Sequence, residues 1–306
     1  MPQINQCTNQ NIRNWHHINE AYVTQGVLLL QHDWVDGWDN ELEMMNDRKS
    51  GRPYKFPESL IRFAETLKMV PRLPLRQLEG FLQALACFLR IEVPDYTTLW
   101  HRECQSQVHL PAVDLVGSGW ELAVDSPGIE VSDRGEWMRE KWHVHRGWIK
   151  VHMCIEVTIG AIVGLIVCDE KARDASYLPI LVEQASRLLP GRIARVIADG
   201  GYDTYDNFDH LVSRGIEPVI NMRCNASRKR HGHSSARPKA VRERDDLGEA
   251  EWKARHGYNM RWKVETMFSA IKRKMGKSVR SKRPGLAQKQ AERMVVQYSM
   301  LKEVTC

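Results

Sequence analysis

Four residues near the C-terminal end set one carboxylate among cations at regular spacing, and the first of them is Tyr258. A helix starting there places Arg261, Glu265 and Lys272, at offsets of three, seven and fourteen residues, in one narrow stripe. A lone carboxylate among cations is more often an ordinary surface ion pair. The helix can bury an apolar stripe beside it, formed by Met260, Val264, Met267, Phe268, Ile271 and Met275.

Two further carboxylates come directly after short apolar segments that read as strands. Asp125 follows Leu122-Ala123-Val124, and Asp199 follows Val196-Ile197-Ala198. Side chains at strand ends can converge at one sheet edge, although a single Asp there is more often a turn former. A helix packed on the sheet could bring Glu265 to the same edge. Three carboxylates on separate elements suit Mg²⁺, and two such ions about 3.5–4 Å apart support phosphoryl transfer.

Two glycines and three further acids follow Asp199 closely in the sequence. Gly200 and Gly201 allow the backbone and a bound ion to approach closely. Three more acids follow, which we interpret as helix-capping or solvated residues: Asp203, Asp206 and Asp209.

Positive charge is concentrated in one part of the chain. The formal net charge is +6, but residues 223–283 alone carry +13. Such a concentration is typical of a protein that binds a polyanion, most often nucleic acid, although a basic loop without a ligand stays an alternative. We interpret the tract Arg228-Lys229-Arg230 as a mobile loop that contacts phosphates. Arg273 and Lys274 are further candidates for DNA contacts.

Composition places the chain among soluble globular proteins. It has 306 residues, 42% of them hydrophobic and 27% charged. The apolar run 161–168 is too short to cross a bilayer, so no membrane partner is expected. The seven cysteines are scattered without a C-x-x-C pair, which predicts reduced thiols and a cytoplasmic location.

The elements that must position these residues fall into two regions. Helices are predicted at 59–69, between Leu75 and Phe88, and at 96–105 with Asp95 as the cap. These three helices are either a helix-turn-helix unit or a small bundle that supports the main domain. The slightly acidic balance of this region argues against a strong DNA-reading role.

The second region alternates strands and helices. Strands are predicted at 121–125, 147–157 (half-buried), 161–168 (central), 195–198 and 217–221. Helices are predicted at 177–189, capped by Ser176, and near 204–213. The order predicts an α/β fold with a mixed sheet flanked by helices. We therefore expect a helical N-terminal region at 1–118 and a catalytic domain at 119–306 with a basic insertion at about 223–257.

These motifs resemble those of DDE transposases from bacterial insertion sequences. The Tyr258-to-Lys272 spacing matches the family's Y-x2-R-x3-E-x6-K signature. The segments around its two aspartates resemble Ala123-Val124-Asp125-Ser126-Pro127-Gly128 and Asp199-Gly200-Gly201-Tyr202-Asp203. Its segments downstream of the first aspartate resemble Gly135-Glu136-Trp137 and Trp148-Ile149-Lys150-Val151-His152. The similarity runs from about residue 57 onward and is closest to the insertion-sequence family numbered five. Pro127 departs mildly from the pattern, because a hydroxyl-bearing residue is common at that place.

The resemblance implies an RNase H-like core with Asp125, Asp199 and Glu265 as a metal-binding catalytic triad. It implies two Mg²⁺ ions (or Mn²⁺), hydrolysis at the element's ends and attack of the exposed 3′-OH on target DNA. Tyr258, Arg261 and Lys272 would then position phosphates. The implied partner is double-stranded DNA, as inverted repeats and target, bound by a homodimer at the nucleoid.

Two rival functions stay open at this stage. One is an RNase H-like nuclease that cuts without joining, and the other is a non-catalytic DNA-binding derivative. Among other candidates, His143, His145 and His152 fit no common zinc spacing and are interpreted as structural. Trp252 and Trp262 are interpreted as packing residues, with stacking on an unpaired base as the alternative.

Overall fold

A helical region comes before the first strand in the computed structural model, which describes residues 15–30, 32–111, 117–131, 147–223, 225–281 and 283–303. The segment Gly135-Glu136-Trp137 and the residues His143 and His145 lie outside these ranges. Five α-helices of the described part form this region: α1 (Trp15–Leu28), α2 (Trp38–Asn46), α3 (Glu58–Met69), α4 (Leu75–Leu89) and α5 (Tyr96–Gln105).

The three helices predicted for this region are confirmed. Pro57 and Pro74 directly precede α3 and α4, and the Asp95 side chain caps α5 by accepting a hydrogen bond from the Thr98 amide at 2.6 Å. The three helices bury a core of their own, formed by Leu60, Ile61, Phe63, Ala64, Leu67, Leu78, Leu82 and Leu99. A role of this region in reading DNA stays a prediction.

One mixed sheet follows the helical region. Its strands are β1 (Trp120–Asp125), β2 (Gly128–Val131), β3 (Trp148–Glu156), β4 (Ile162–Asp169), β5 (Ile193–Ala198), β6 (Glu217–Ile220) and β7 (Ser278–Val279). The pairings give the strand order β4-β3-β1-β5-β6. β1 and β2 both pair with β3, β1 with its C-terminal half and β2 with its N-terminal half, and β7 pairs with β2. The pairs β1–β3 and β3–β4 are antiparallel, and the pairs β1–β5 and β5–β6 are parallel.

Helices connect the parallel strands and cover the sheet. These are α6 (Leu178–Leu188), α7 (Tyr205–Ser213), α8 (Ala236–Leu247), α9 (Glu249–Arg255), α10 (Trp262–Met275) and α11 (Pro284–Glu303). An antiparallel meander followed by two parallel strands through helical crossovers is the RNase H-like arrangement, and the predicted mixed sheet flanked by helices is confirmed. None of the described helices combines the length and apolar character that a membrane crossing requires.

Three local predictions for the sheet region are wrong. β3 is buried on both faces, because His152, Cys154 and Glu156 are as inaccessible as the apolar residues that alternate with them. Among the described residues β4 pairs only with β3 and so lies at the sheet edge, where α6 and α11 pack against it. Ser176 caps no helix, because a 3₁₀ turn at Asp174–Tyr177 runs directly into α6.

The basic insertion is more ordered than a loop. Residues 225–235 are irregular, but α8 and α9 follow them. Asp203 anchors this insertion, since its buried carboxylate accepts bonds from Arg237 Nε at 2.6 Å and Nη2 at 2.9 Å. The interpretation of Asp203 as a capping or solvated residue is therefore wrong. Asp206 is solvated, and Asp209 bonds to Ser234 and His233.

Candidate active site

The two aspartates lie side by side at one edge of the sheet. Asp125 is the last residue of β1, and Asp199 directly follows β5. The strands are parallel neighbours, with Val124 opposite Ala198, so both acids leave the sheet in the same direction. The sheet register therefore brings the two aspartates together at one edge, as the sequence predicted.

The third acid reaches this edge on α10, which packs against β1. The Arg261 guanidinium joins the two elements: Nη1 lies 3.4 Å from Asp125 Oδ2, and Nη2 donates to Glu265 Oε1. Residues Tyr258–Arg261 form a 3₁₀ turn rather than the first turn of one long α-helix. The predicted apolar stripe is confirmed, because α10 buries five of its residues: Val264, Met267, Phe268, Ile271 and Met275.

The charges of Asp199 and Glu265 both act on Asp125. Burial raises the pKa of Asp125, and the negative charges of Asp199 and Glu265 raise it further. The Ser126 amide, which donates to Asp125 Oδ1 at 2.9 Å, and the Arg261 guanidinium act in the opposite direction. Asp125 is thus a partly buried carboxylate beside further negative charge, which a cation at the same place would stabilise.

The turn after Asp199 is packed so closely that a side chain at one glycine would displace its neighbours. Asp199 Oδ1 accepts a hydrogen bond from the Gly201 amide at 2.9 Å. A Cβ atom on Gly201 would lie 3.0 Å from Asp199 Oδ1 and 3.3 Å from Asp174 Oδ2. Asp174 is itself held by Lys150, whose Nζ lies 2.8 Å from its Oδ1. Sequence reasoning missed Asp174, because it lies between β4 and α6 without a motif.

Tyr202 links the two aspartate turns. It follows Asp199 in a 3₁₀ turn and is fully buried. Burial raises its pKa, and the side chain of Ser126, the neighbour of Asp125, acts in the opposite direction. The Tyr202 hydroxyl lies 3.4 Å from His152 Nδ1. Burial lowers the pKa of His152 to about 4, and its ring stacks on Tyr177 with centroids 4.4 Å apart. His152 is therefore a neutral packing residue behind the acids.

The donor set fits a hard divalent cation. Its three side chains are all carboxylates, which are the ligands that Mg²⁺ and Mn²⁺ prefer. Within the described ranges, no three His, Cys, Asp or Glu side chains are grouped as a metal site. Instead, the Arg261 guanidinium supplies the positive charge that Asp125 and Glu265 share.

The cations predicted to contact DNA lie in different surroundings. Lys272 is half-buried, with its ammonium 4.8 Å from the centroid of the Phe268 ring, and Lys274 bonds to Gln25 of α1. Arg228 pairs with Asp245 through Nη2 at 2.6 Å. Lys229, Arg230 and Arg273 are exposed, whereas Tyr258 is buried. DNA contact stays a prediction for all of them.

The two tryptophans of the basic segment differ. Trp252 is 1% exposed and packs near Tyr258 and His256, so its interpretation as a packing residue is confirmed. Trp262 is 53% exposed at the start of α10, and the same interpretation is wrong there.

We expect Gly201→Ala to impair catalysis more than folding. The new methyl group would push the Asp199 carboxylate aside by a few tenths of an ångström, and displacements of catalytic groups on this scale cost about tenfold in rate. Two quantities are measured for each variant: the single-turnover cleavage rate and the free energy of unfolding. Gly80→Ala is the control, because a Cβ atom there meets nothing within 4 Å. A Gly201→Ala protein with the wild-type rate would contradict the assigned packing.

Comparison with known proteins agrees with this geometry. Two family models with the description Transposase DDE domain match residues 23–134 and 117–298, and the second match spans more than half of the chain.

Among solved structures, a piggyBac transposase synaptic complex with hairpin DNA matches at 10% identity and a TM-score of 0.35, over 92% of this chain and 75% of that one. A simian T-cell lymphotropic virus intasome with PP2A regulatory subunit B56 gamma matches at 12% identity and a TM-score of 0.25, over 58% of this chain and 59% of that one. The chain thus spans less than two thirds of the intasome chain. TM-scores this low support no conclusion. On the family match, the chain belongs to the DDE transposase family, as its motifs predicted.

Proposed function

We propose that the protein cleaves DNA at the ends of its own mobile element in a metal-dependent reaction and transfers the resulting 3′-OH into target DNA. The observation that carries this proposal is the placement of Asp125 and Asp199 on adjacent parallel strands, with Glu265 joined to Asp125 through Arg261. Family membership and the +13 charge of residues 223–283 support the same substrate.

Each side chain of the site has a proposed role. Asp125, Asp199 and Glu265 would hold two Mg²⁺ ions, with Mn²⁺ as a substitute. Such ions activate the attacking oxygen and stabilise the leaving one. The two aspartates are held in position by residues packed against their turns: Lys150, Asp174 and Tyr202. Arg261 is suited to bind a phosphate, because its planar guanidinium already lies at the acids and matches phosphate geometry.

The remaining proposals concern DNA and assembly. Contacts to double-stranded DNA, both inverted repeats and target, are assigned to a set of aromatic and basic residues: Tyr258, Arg261, Lys272, Arg228, Lys229, Arg230, Arg273 and Lys274. Two ends must be brought together for integration, which favours a homodimer on DNA at the nucleoid. Residues 1–118 are proposed as a helical region and 119–306 as the catalytic domain.

The test is an assay on uncut duplexes that carry the element's flanking inverted repeats, with a target plasmid and Mg²⁺. We expect nicks at the element ends followed by covalent joints to the plasmid. Nicks without joints would favour the nuclease, and salt-sensitive binding without nicks would favour the non-catalytic derivative. Either result would overturn the proposal.

A further inference from the structure

A groove separates the helical region from the far end of α10. Two neighbouring cavities form it, and they share lining residues from both sides: Lys68, Leu73, Arg280 and Gln290. One cavity adds Arg72 and Lys277, and the other adds Trp100. We call this continuous surface the junction groove. No residue assigned to catalysis lines it.

Three cations of the junction groove have no ion-pair partner among the described residues. Arg72, Lys277 and Arg280 are exposed, and none of their side chains pairs with another described residue. Its lining carboxylate, Glu103, is already neutralised, because both its oxygens bond to Lys68 at 2.5 Å. Three cations on one concave surface are suited to a polyanion.

The backbone holds Arg72 at this place in an uncommon conformation. Its φ of +59° is left-handed, which few residues other than glycine adopt. The Arg72 guanidinium lies against Gly276, where a Cβ atom would come within 3.2 Å of Cζ. Gly276 itself has a φ of +111° and ends α10. The left-handed backbone of Arg72 and the missing side chain of Gly276 together place the Arg72 guanidinium beside Lys277.

The distance from the acids matches a short stretch of DNA. Helix α10 leads from Glu265 to Met275 at the groove, ten residues or about 15 Å along its axis. Lys272 lies between them. Burial lowers its pKa, the negative charge of Glu130 acts to raise it, and the positive charge of Lys277 acts to lower it. Phosphates of one strand advance by about 3.4 Å per nucleotide along a duplex. A duplex running along α10 would therefore place about four to five nucleotides between the acids and the groove.

We propose that the junction groove binds the DNA phosphate backbone about four to five nucleotides from the scissile bond, through Arg72, Lys277 and Arg280. This inference rests on the proposed function, because it requires DNA at the acids. The groove makes the helical region part of the substrate site even if that region reads no bases. Its contribution to affinity is electrostatic and independent of sequence.

The first experiment compares two double variants of the full chain on end-containing duplex over a range of salt concentrations. For Lys277→Gln/Arg280→Gln we expect the slope of log affinity against log salt to fall by about 2, with affinity about tenfold lower near 0.1 M salt. Lys171→Gln/Arg187→Gln removes the same charge from exposed positions outside the groove and should change neither quantity. Arg72→Gly tests the third cation without disturbing the left-handed backbone.

The second experiment locates the contact by placing single neutral methylphosphonates at successive positions on both sides of the scissile bond. We expect a methylphosphonate about four to five nucleotides from the scissile bond to weaken binding by the wild type. The same substitution should not change binding by the groove variant. The side that responds tells whether the element end or the flanking DNA occupies the groove. An unchanged salt slope in the groove variant would overturn the inference. A wild type that binds the end yet never cleaves it would overturn the proposed function alone.

Discussion

Glu265→Gln should lower end cleavage by at least about a thousandfold while end binding survives. Losing one preorganised electrostatic group at a reacting centre costs on the order of 10²–10³, and a metal ligand contributes both binding and charge. The amide keeps the shape of the side chain and removes its charge. Because Glu265 is half exposed on the surface of α10, the substitution should leave the fold intact. The measurement is the single-turnover cleavage rate in Mg²⁺, with end affinity measured in parallel.

Glu251→Gln is the matched control for this prediction. It removes the same charge from an exposed position on α9 and should cleave at the wild-type rate. Asp125→Asn and Asp199→Asn should reproduce the loss, since both are proposed ligands of the same ions. A Glu265→Gln protein that cleaves within tenfold of the wild type would show that Glu265 is only the ion-pair partner of Arg261.

The largest expected effect on stability comes from the ion pair that fixes the basic insertion. Arg237→Met leaves the Asp203 carboxylate buried without its partner, which costs about 3–5 kcal/mol in the free energy of unfolding. The backbone amide of Arg223, 3.1 Å from Asp203 Oδ2, cannot offset that charge. Denaturant unfolding measures the loss.

Two further variants distinguish the loss of the Asp203–Arg237 ion pair from a general effect of removing a positive charge. Asp203→Leu/Arg237→Met removes both charges and should recover most of the lost stability. Arg228→Met breaks the exposed pair with Asp245 and should cost no more than about 1 kcal/mol. Equal losses for Arg237→Met and Arg228→Met would contradict the assignment of Asp203 as the anchor of the insertion.

Local sequence predicted the parts of the fold that neighbouring residues decide. The Asp95 cap, the helices after Pro57 and Pro74 and the buried stripe of α10 follow from side-chain chemistry and helical period. Asp125 and Asp199 were predictable as strand-end residues, but their convergence also required β1 and β5 to be parallel neighbours. The placement of the two aspartates at strand ends was therefore accessible from the sequence.

Features that depend on distant pairing were not predictable. Asp203 meets Arg237 only because α8 folds back over the turn after β5. A continuous apolar run, as in β4, indicates burial on both faces but says nothing about position within the sheet. Asp174 and the junction groove arise from loops whose neighbours in space come from other parts of the chain.

The joining of a pre-cut end to a target plasmid tests the central claim most directly, because it isolates the step that distinguishes strand transfer from hydrolysis. Wild-type protein in Mg²⁺ should give covalent joints between the 3′-OH of the end and plasmid DNA, read by sequencing across them. Glu265→Gln should give none while it still binds the end. Joints formed by Glu265→Gln, or a wild type that binds and never joins, would contradict the assignment of Asp125, Asp199 and Glu265 as one strand-transfer site.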